Sequence, residues 1–299
     1  MHLKKIAILT EVVCYIDTIV LSWYREENIR KEFDITMHKE NINIESERSA
    51  ESRYILSSVD SALTIMNLFF DHEELSAAEV GKLTGMSRST AFRFMVTLES
   101  RGFVTKTAYG KYRLGLNLFS LGMLAYNRME LVSLVHPYLQ ELAVASGETS
   151  HIAILSDGIH VMFIDRALGT SALKMDTAVG YSQVAHCTAT GKAILAYQPE
   201  AVISQYLRRV DFVRTTPKAI PNAKTLLRIL EEIRQQGYAC DDEESEMGLT
   251  CYGMPLLDAT GRAFAAISIS GPTTRMMIKK EEHLYRLGEA VKSISRTIS

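Results

Sequence analysis

Two groups of residues in this chain have the types and spacing to do chemistry. The first is Arg88, Ser89, Thr90, Phe92 and Arg93, followed by Lys106, Lys111 and Arg113. Guanidinium and ammonium groups neutralise phosphates, hydroxyls bond to phosphate oxygens, and an arginine can also read a base edge. Helical spacing leaves Arg88, Ser89, Thr90, Phe92 and Arg93 off the apolar face, and we expect Arg93 to read base edges and Arg88, Ser89 and Thr90 to make phosphate or mixed contacts. Charge sharpens this picture. Residues 57–81 hold five acids (Asp60, Asp71, Glu73, Glu74, Glu79) and no Lys or Arg, whereas residues 86–115 hold six bases against Glu99 alone. A segment so polarised presents one face to a polyanion and turns the other away. A merely solvated basic face is the ordinary alternative, and the elements around the charges decide between them.

The second group lies in three later stretches, HCTATGKA (186–193), DDEESEMGLTC (241–251) and AISISG (266–271). The first fails as a phosphate loop, because His186 stands five before Gly191 and Ala193 follows Lys192. It reads instead as a loop closing onto a helix start. There the Ala189, Thr190 and Gly191 amides either hold a carboxylate or are simply capped. In the acidic run, Asp242, Glu243 and Glu244 are expected to be solvated. Asp241 ends a predicted strand and Cys251 opens the next, so both can line one pocket wall. An ionised Asp241 only accepts hydrogen bonds and would face hydroxyls rather than a carboxylate. Ser268 and Ser270, two apart in an apolar strand, share a face and are either ligand contacts or satisfied core groups. An enzyme reading would make Cys251 a nucleophile with His186 or His151 as base. No helix start precedes Cys251, and no nucleophile elbow, HExxH or paired acid and base is visible. We therefore assign no catalytic residue and rank a Cys/His hydrolase below ligand sensing.

The first group needs a scaffold, and the local sequence supplies one. Ser76 and Glu79 form a capping box, so a helix starts at Ala77 and ends near Gly85. Ser87 caps a second helix over 88–101, with Ala91, Met95 and Leu98 at helical spacing on its inner side. Gly102 ends it, and a hairpin runs from Phe103 to Leu114 with its turn at Tyr109-Gly110. Helix, turn, helix and basic hairpin in unbroken order read as a winged helix-turn-helix.

Downstream, Leu118, Leu121, Ala125 and Met129 mark a linker helix to about Asn127. Val132, Val135, Leu139 and Leu142 continue apolar spacing, and Pro137 suits the first turn of a second helix from about His136 to Ser146. Strands follow at Thr149–Leu155 and 159–164, joined by a Ser156-Asp157-Gly158 turn, then at 172–175, 238–241, 252–257 and 263–270. Helices are predicted at 190–197, 200–207, 222–236 and 280–298. An antiparallel mixed sheet with helices on its faces makes an α+β domain.

A length of 299 residues implies about two domains on a prior of roughly 150 each, and 47% hydrophobic residues supply real cores. Net charge is only −2, so affinity for nucleic acid has to come from a local patch. Four cysteines, Cys14, Cys187, Cys240 and Cys251, form no CxxC pair or His/Cys ligand set. That predicts no metal and no cofactor, and fits the reducing cytoplasm. The apolar stretch 6–24 follows Lys4-Lys5 but is broken by Glu11 and Asp17, and no cleavage site follows. We read it as neither an export signal nor a membrane span, but as part of an amino-terminal extension, residues 1–54.

At this point a resemblance becomes specific. SRSTAFRFMVTLESRGFV followed by YRLGLNLFSLG, then HCTATGKAILAY, DDEESEMGLTC and AAISISGP, in that order from about Leu56 to the carboxy terminus, resemble the IclR family of bacterial transcription regulators. The resemblance implies a winged helix-turn-helix over 55–115, a linker helix over 116–132, and a GAF-like mixed α/β sensor domain over 133–299. It further implies that Ala189, Thr190, Asp241, Cys251, Ser268 and Ser270, with Gln183 from the preceding loop, hold a small organic acid or sugar acid. Double-stranded DNA with a near-palindromic operator is the implied partner, and a homodimer or dimer of dimers the implied assembly. A repressor of a catabolic operon is expected, with an activator as the alternative.

Overall fold

A computed structural model describes residues 54–298. The extension expected over 1–54, including the apolar stretch 6–24 and Cys14, lies outside the described residues except for Tyr54. The chain divides into two compact units between Phe119 and Ser120.

The first unit contains α1 (Ser57–Asn67), α2 (Ala77–Thr84), α3 (Arg88–Ser100) and a hairpin of β1 (Val104–Lys106) with β2 (Tyr112–Leu114). Helix α1 is absent from the sequence reading because its start, Leu56, offers no side-chain cap. At α2 the capping box is closed in both directions: the Ser76 amide donates to the Glu79 carboxylate at 2.7 Å, and the Glu79 amide to Ser76 Oγ at 3.3 Å. Such a cap stabilises a helix by about 1 kcal/mol. Gly85 follows α2 at φ 73°, a left-handed conformation that glycine adopts without steric cost and that turns the chain into α3. Ser87 Oγ then accepts the Thr90 amide at 3.1 Å. Ile65, Phe69, Val80, Ala91, Met95, Val104 and Tyr112 form the core. Leu75 and Tyr112 exchange two backbone hydrogen bonds of 2.9 and 2.8 Å, which pin the hairpin to the residues preceding α2.

Helix α4 (Leu116–Asn127) runs across the division, and α5 (Glu130–Ser146) follows. Here the sequence expectation was too short. Helix α5 begins at Glu130 rather than near His136 and carries Pro137 in its interior. An internal proline forfeits one helical hydrogen bond. The stripe Val132, Val135, Leu139 and Leu142 stays buried through it, so packing outweighs the lost bond.

The second unit is built on a six-stranded antiparallel sheet in the order β5-β4-β3-β8-β7-β6. The strands are β3 (Thr149–Leu155), β4 (His160–Ala167), β5 (Ser182–Val184), β6 (Ala239–Asp242), β7 (Leu249–Leu257) and β8 (Ala263–Pro272). The helices are α6 (Ala189–Ala196), α7 (Glu200–Arg209), α8 (Ala223–Gln236), α9 (Thr273–Ile278) and α10 (Lys280–Ile298). Period-2 alternation splits β8 between two cores. Ile267 and Ile269 join the cluster with α5 and α10 residues, whereas Ala266 joins the cluster with α6, α7 and α8 residues. Ser268 and Ser270 share the Ala266 face.

One predicted strand is not a strand. Residues 172–175 belong to a loop between β4 and β5. Side chains hold its backbone instead of a ladder: Thr149 Oγ1 donates to Met175 O at 2.7 Å, Arg275 to Leu173 O at 2.6 Å, and Arg166 to Thr177 O at 2.6 Å. Thr149 and Arg275 lie far from the loop in sequence, so nothing local to residues 172–175 reveals that they hold it out of the sheet.

Candidate functional site

In the first unit, Arg88, Ser89, Thr90, Phe92, Arg93, Lys106 and Arg113 are all exposed, and Lys111 is half-buried. Phe92 leaves about half its surface to solvent (48%). Arg88, Ser89 and Phe92 of α3, Lys106 and Gly110 of the hairpin, and Ser76 through Ala78 line one open groove. Lys106 is held by the Tyr112 ring, with Nζ 5.8 Å from its centre. The register Lys106↔Tyr112 and Thr105↔Arg113 places Arg113 on the opposite face of the hairpin from Lys106. The groove therefore gathers Arg88, Ser89, Phe92 and Lys106, but not Thr90, Arg93, Lys111 or Arg113. Hydroxyls of Ser89 and Thr90 lie 2.9 and 2.8 Å from Ser87 Oγ, forming a small donor cluster at the start of α3.

The second unit contains a pocket. Strand register arranges residues in two rows across the sheet: Thr149, Ser270, Cys251 and Asp241, and beside it His151, Ser268, Gly253 and Ala239. The start of α6 sits on Gly253. A Cβ there would lie 2.8 Å from the Ala189 carbonyl carbon and 3.1 Å from the Thr190 nitrogen, so only glycine lets the helix come this close. A small pocket results beneath the start of α6. All seven residues implied by the family resemblance, Gln183, Ala189, Thr190, Asp241, Cys251, Ser268 and Ser270, line it.

So do seven residues that the sequence reading did not assign to it, among them His151, Phe163, Met175 and Ser245. For His151 a signal existed, because Thr149 and His151 alternate in an apolar strand just as Ser268 and Ser270 do. Ser245 is the break in the acidic run. Met175, from the misread loop, had no signal.

Hydrogen bonding changes two local expectations. Thr188 caps α6, its Oγ1 accepting the Gly191 amide at 2.9 Å. Of the three amides expected to be open to a ligand, Gly191's is therefore taken, while the Ala189 and Thr190 amides of the first turn have no intrahelical acceptor. Asp241 is engaged by its own turn: Oδ1 accepts the Glu244 and Ser245 amides at 2.8 and 3.3 Å, and Oδ2 accepts the Ser245 hydroxyl at 2.6 Å. The acidic run also departs from expectation. Asp242 and Glu243 do pair near solvent with Lys218, at 3.1 and 2.7 Å. Glu244, expected to be solvated, instead forms an ion pair with Lys192, whose side chain is wholly buried in α6. A buried ammonium requires a counter-charge, and Glu244 is its partner.

Burial sets the titration of the pocket. It raises the Asp241 carboxyl above its ordinary value, opposed by Lys192 and by the Ser245 hydroxyl. It also holds the Cys251 thiol well above the usual range, reinforced by the Asp241 charge, which is the reverse of what a nucleophilic cysteine needs. Burial, with Arg166 adding to it, pushes His151 down to about 4, so its imidazole is neutral at physiological pH. Among the described residues, no three His, Cys, Asp or Glu side chains are grouped to hold a metal ion, and no helix is long and apolar enough to cross a membrane.

Comparisons with known proteins agree with this geometry. Residues 123–299 match the model of the bacterial transcriptional regulator IclR C-terminal domain, and residues 58–108 that of the IclR helix-turn-helix domain. The chain is 34% identical over 242 residues to the HTH-type transcriptional regulator KdgR of Dickeya chrysanthemi, covering 80% of this chain and 79% of that one. It is 31% identical to the transcriptional repressor IclR of Escherichia coli K12, covering 68% and 74%. Among solved structures, Thermotoga maritima IclR is 34% identical with a TM-score of 0.62, over 81% of this chain and 98% of that one. An IclR homolog from Microbacterium hydrocarbonoxydans complexed with 4-hydroxybenzoate shares the fold at 22% identity and a TM-score of 0.69, over 80% and 98%. These relatives are DNA-binding regulators, not enzymes. The chain belongs to the IclR family of bacterial transcriptional regulators.

Proposed function

We propose that this regulator represses a catabolic operon in the cytoplasm by binding a near-palindromic operator as a homodimer or dimer of dimers, and that a small organic acid or sugar acid in the pocket sets its DNA affinity. The observation that carries the effector reading is the convergence of Gln183, Ala189, Thr190, Asp241, Cys251, Ser268 and Ser270 on one small cavity, although they come from four separate strands and a helix start. The first-turn amides of α6 supply donors for one carboxylate, and the serine hydroxyls serve a neighbouring carbonyl or hydroxyl. The 4-hydroxybenzoate held by the Microbacterium homolog is an acid of this general kind.

For the DNA side, α3 and the hairpin present the required bases, with Arg93 as base reader and the other cations as phosphate contacts. The dimer reading is supported by α4, where Leu116, Phe119, Leu121, Met123 and Leu124 are exposed and a second copy would cover them. An effector can change DNA affinity only by binding one arrangement of the linker helices better than another.

The test is an operator titration with and without a panel of acids, on wild type and on Ser268→Ala/Ser270→Ala. The double variant is expected to lose the effector response and keep effector-free DNA binding. An unchanged response would remove the pocket assignment, and loss of DNA binding in both conditions would make the serines structural.

A further inference from the structure

His151 has no role in the reading so far, yet it is the most conspicuous polar group in the pocket. It is 1% exposed, and neither ring nitrogen has a hydrogen-bond partner. A neutral imidazole carries one donor and one acceptor, and burying both without partners costs several kcal/mol in the empty protein. Asp241, which also lines the pocket, is satisfied by its own turn, and nearby the Gly191 amide is taken by Thr188 and Lys192 by Glu244. The ring packs against Phe163, 5.2 Å away between centres and tilted by 59°.

Its place in the sheet shows what it could meet. His151 is directly opposite Ser268, and Ser268 directly opposite Gly253, on which the start of α6 rests. One row therefore runs from helix amides through a hydroxyl to an imidazole. Adjacent strands are ~4.8 Å apart, so His151 stands roughly 10 Å from Gly253 across the sheet. A carboxylate seated at the amides would leave the rest of its molecule pointing along this row.

We propose that His151 contacts the effector directly, hydrogen-bonding an oxygen that the molecule carries in addition to its carboxylate, so that the pocket takes hydroxy acids or oxo acids in preference to plain carboxylic acids. This rests on the acid-pocket reading above. A hydroxyl can give or take the hydrogen bond and an oxo group can take one, whereas an alkyl chain leaves both ring nitrogens unpartnered. The imidazole thus discriminates by leaving a buried polar group unsatisfied in the wrong complex, which is a stronger filter than shape alone.

Calorimetric titration of the full chain with two matched pairs, pyruvate against propionate and gluconate against hexanoate, tests this. Wild type is expected to bind an oxygenated acid at least ~tenfold more tightly than its plain partner. His151→Leu should lose that preference, binding the plain acid as before. His151→Gln, which keeps an amide donor and acceptor, should recover part of it. An undiminished preference in His151→Leu overturns the proposal. If His151→Leu does not fold, the imidazole nitrogen resonances of wild type decide: they shift on adding the oxygenated acid if His151 touches it, and unchanged resonances in a saturated complex overturn the contact. Failure of all four acids to bind wild type overturns the acid-pocket reading itself, an outcome distinct from a wild type that binds without preference.

Discussion

Gly253→Ala isolates the contact on which the pocket depends. The added methyl would lie 2.8 Å from the Ala189 carbonyl carbon and 2.9 Å from its oxygen. Both are backbone atoms that cannot rotate away. Ordinary carbon contacts begin near 3.5 Å, so the start of α6 has to retreat by roughly 0.7 Å. Overpacking of this kind costs about 1–3 kcal/mol, offset by ~0.4–1 kcal/mol from the stiffer unfolded chain. The net is on the order of 1–2 kcal/mol, a melting temperature lower by roughly 3–6 °C for a unit of this size. A hydrogen bond stretched from ~2.9 to ~3.6 Å no longer qualifies as one, so effector affinity should fall by at least ~tenfold. Thermal melting followed by effector titration on operator DNA measures both effects. The first unit, which carries the DNA-facing residues, is untouched, so effector-free DNA binding should persist. A variant with wild-type melting and wild-type effector response would refute the claim that the helix rests on this glycine and seats the ligand there.

Arg93→Ala should cost about 1–3 kcal/mol at the operator and little on random DNA, while Lys106→Ala should weaken both alike and flatten the salt dependence in gel-shift titrations; equal losses for Arg93→Ala would contradict base reading. Acid should act against the effector unit through its buried histidines, opposed by Asp241 and Glu244, whose carboxyls, raised by burial, favour the folded chain as pH falls. His151 and His186 are both pushed down to about 4, chiefly by burial, so between the ordinary 6.5 and 4 the unfolded chain binds protons that the folded one does not. The histidine contribution to stability therefore falls as pH falls through that window, by on the order of 3 kcal/mol for the fully buried His151, and urea melts at pH 7 and 4.5 check it. Cys187, Cys240 and Cys251 should all resist a maleimide in the native protein at neutral pH, since burial holds them at about 11, about 12 and well above the usual range. Rapid labelling of Cys251, located by peptide mass, would reopen the hydrolase reading.

Where structure is local, the residues alone determined it. The Ser76–Glu79 box, the left-handed Gly85 and the Ser87 cap are contacts within one helical turn, so the reading of the DNA-facing helices needed only neighbours in sequence. The alternation of Ser268 and Ser270 with Ile267 and Ile269 likewise assigned two faces to β8 before any partner strand was known. Charge polarity between residues 57–81 and 86–115 is a property of composition and carries straight through. What tertiary structure alone decided depends on pairs far apart in the chain. Strand β8 lies between β3 and β7, and that order, invisible to periodicity, puts His151 beside Ser268 and Gly253 under the start of α6. Residues 172–175 are expected as a strand, yet bonds from Thr149, Arg166 and Arg275 hold the loop they belong to beside the pocket. Pro137 resembles a helix start, yet an apolar stripe buried on both sides of it carries the helix through. Glu244 looks solvated until Lys192 is found buried beside it. In these cases a short-range preference worth about 1 to 3 kcal/mol was overruled by burial or charge pairing, and only the folded chain brings those partners together.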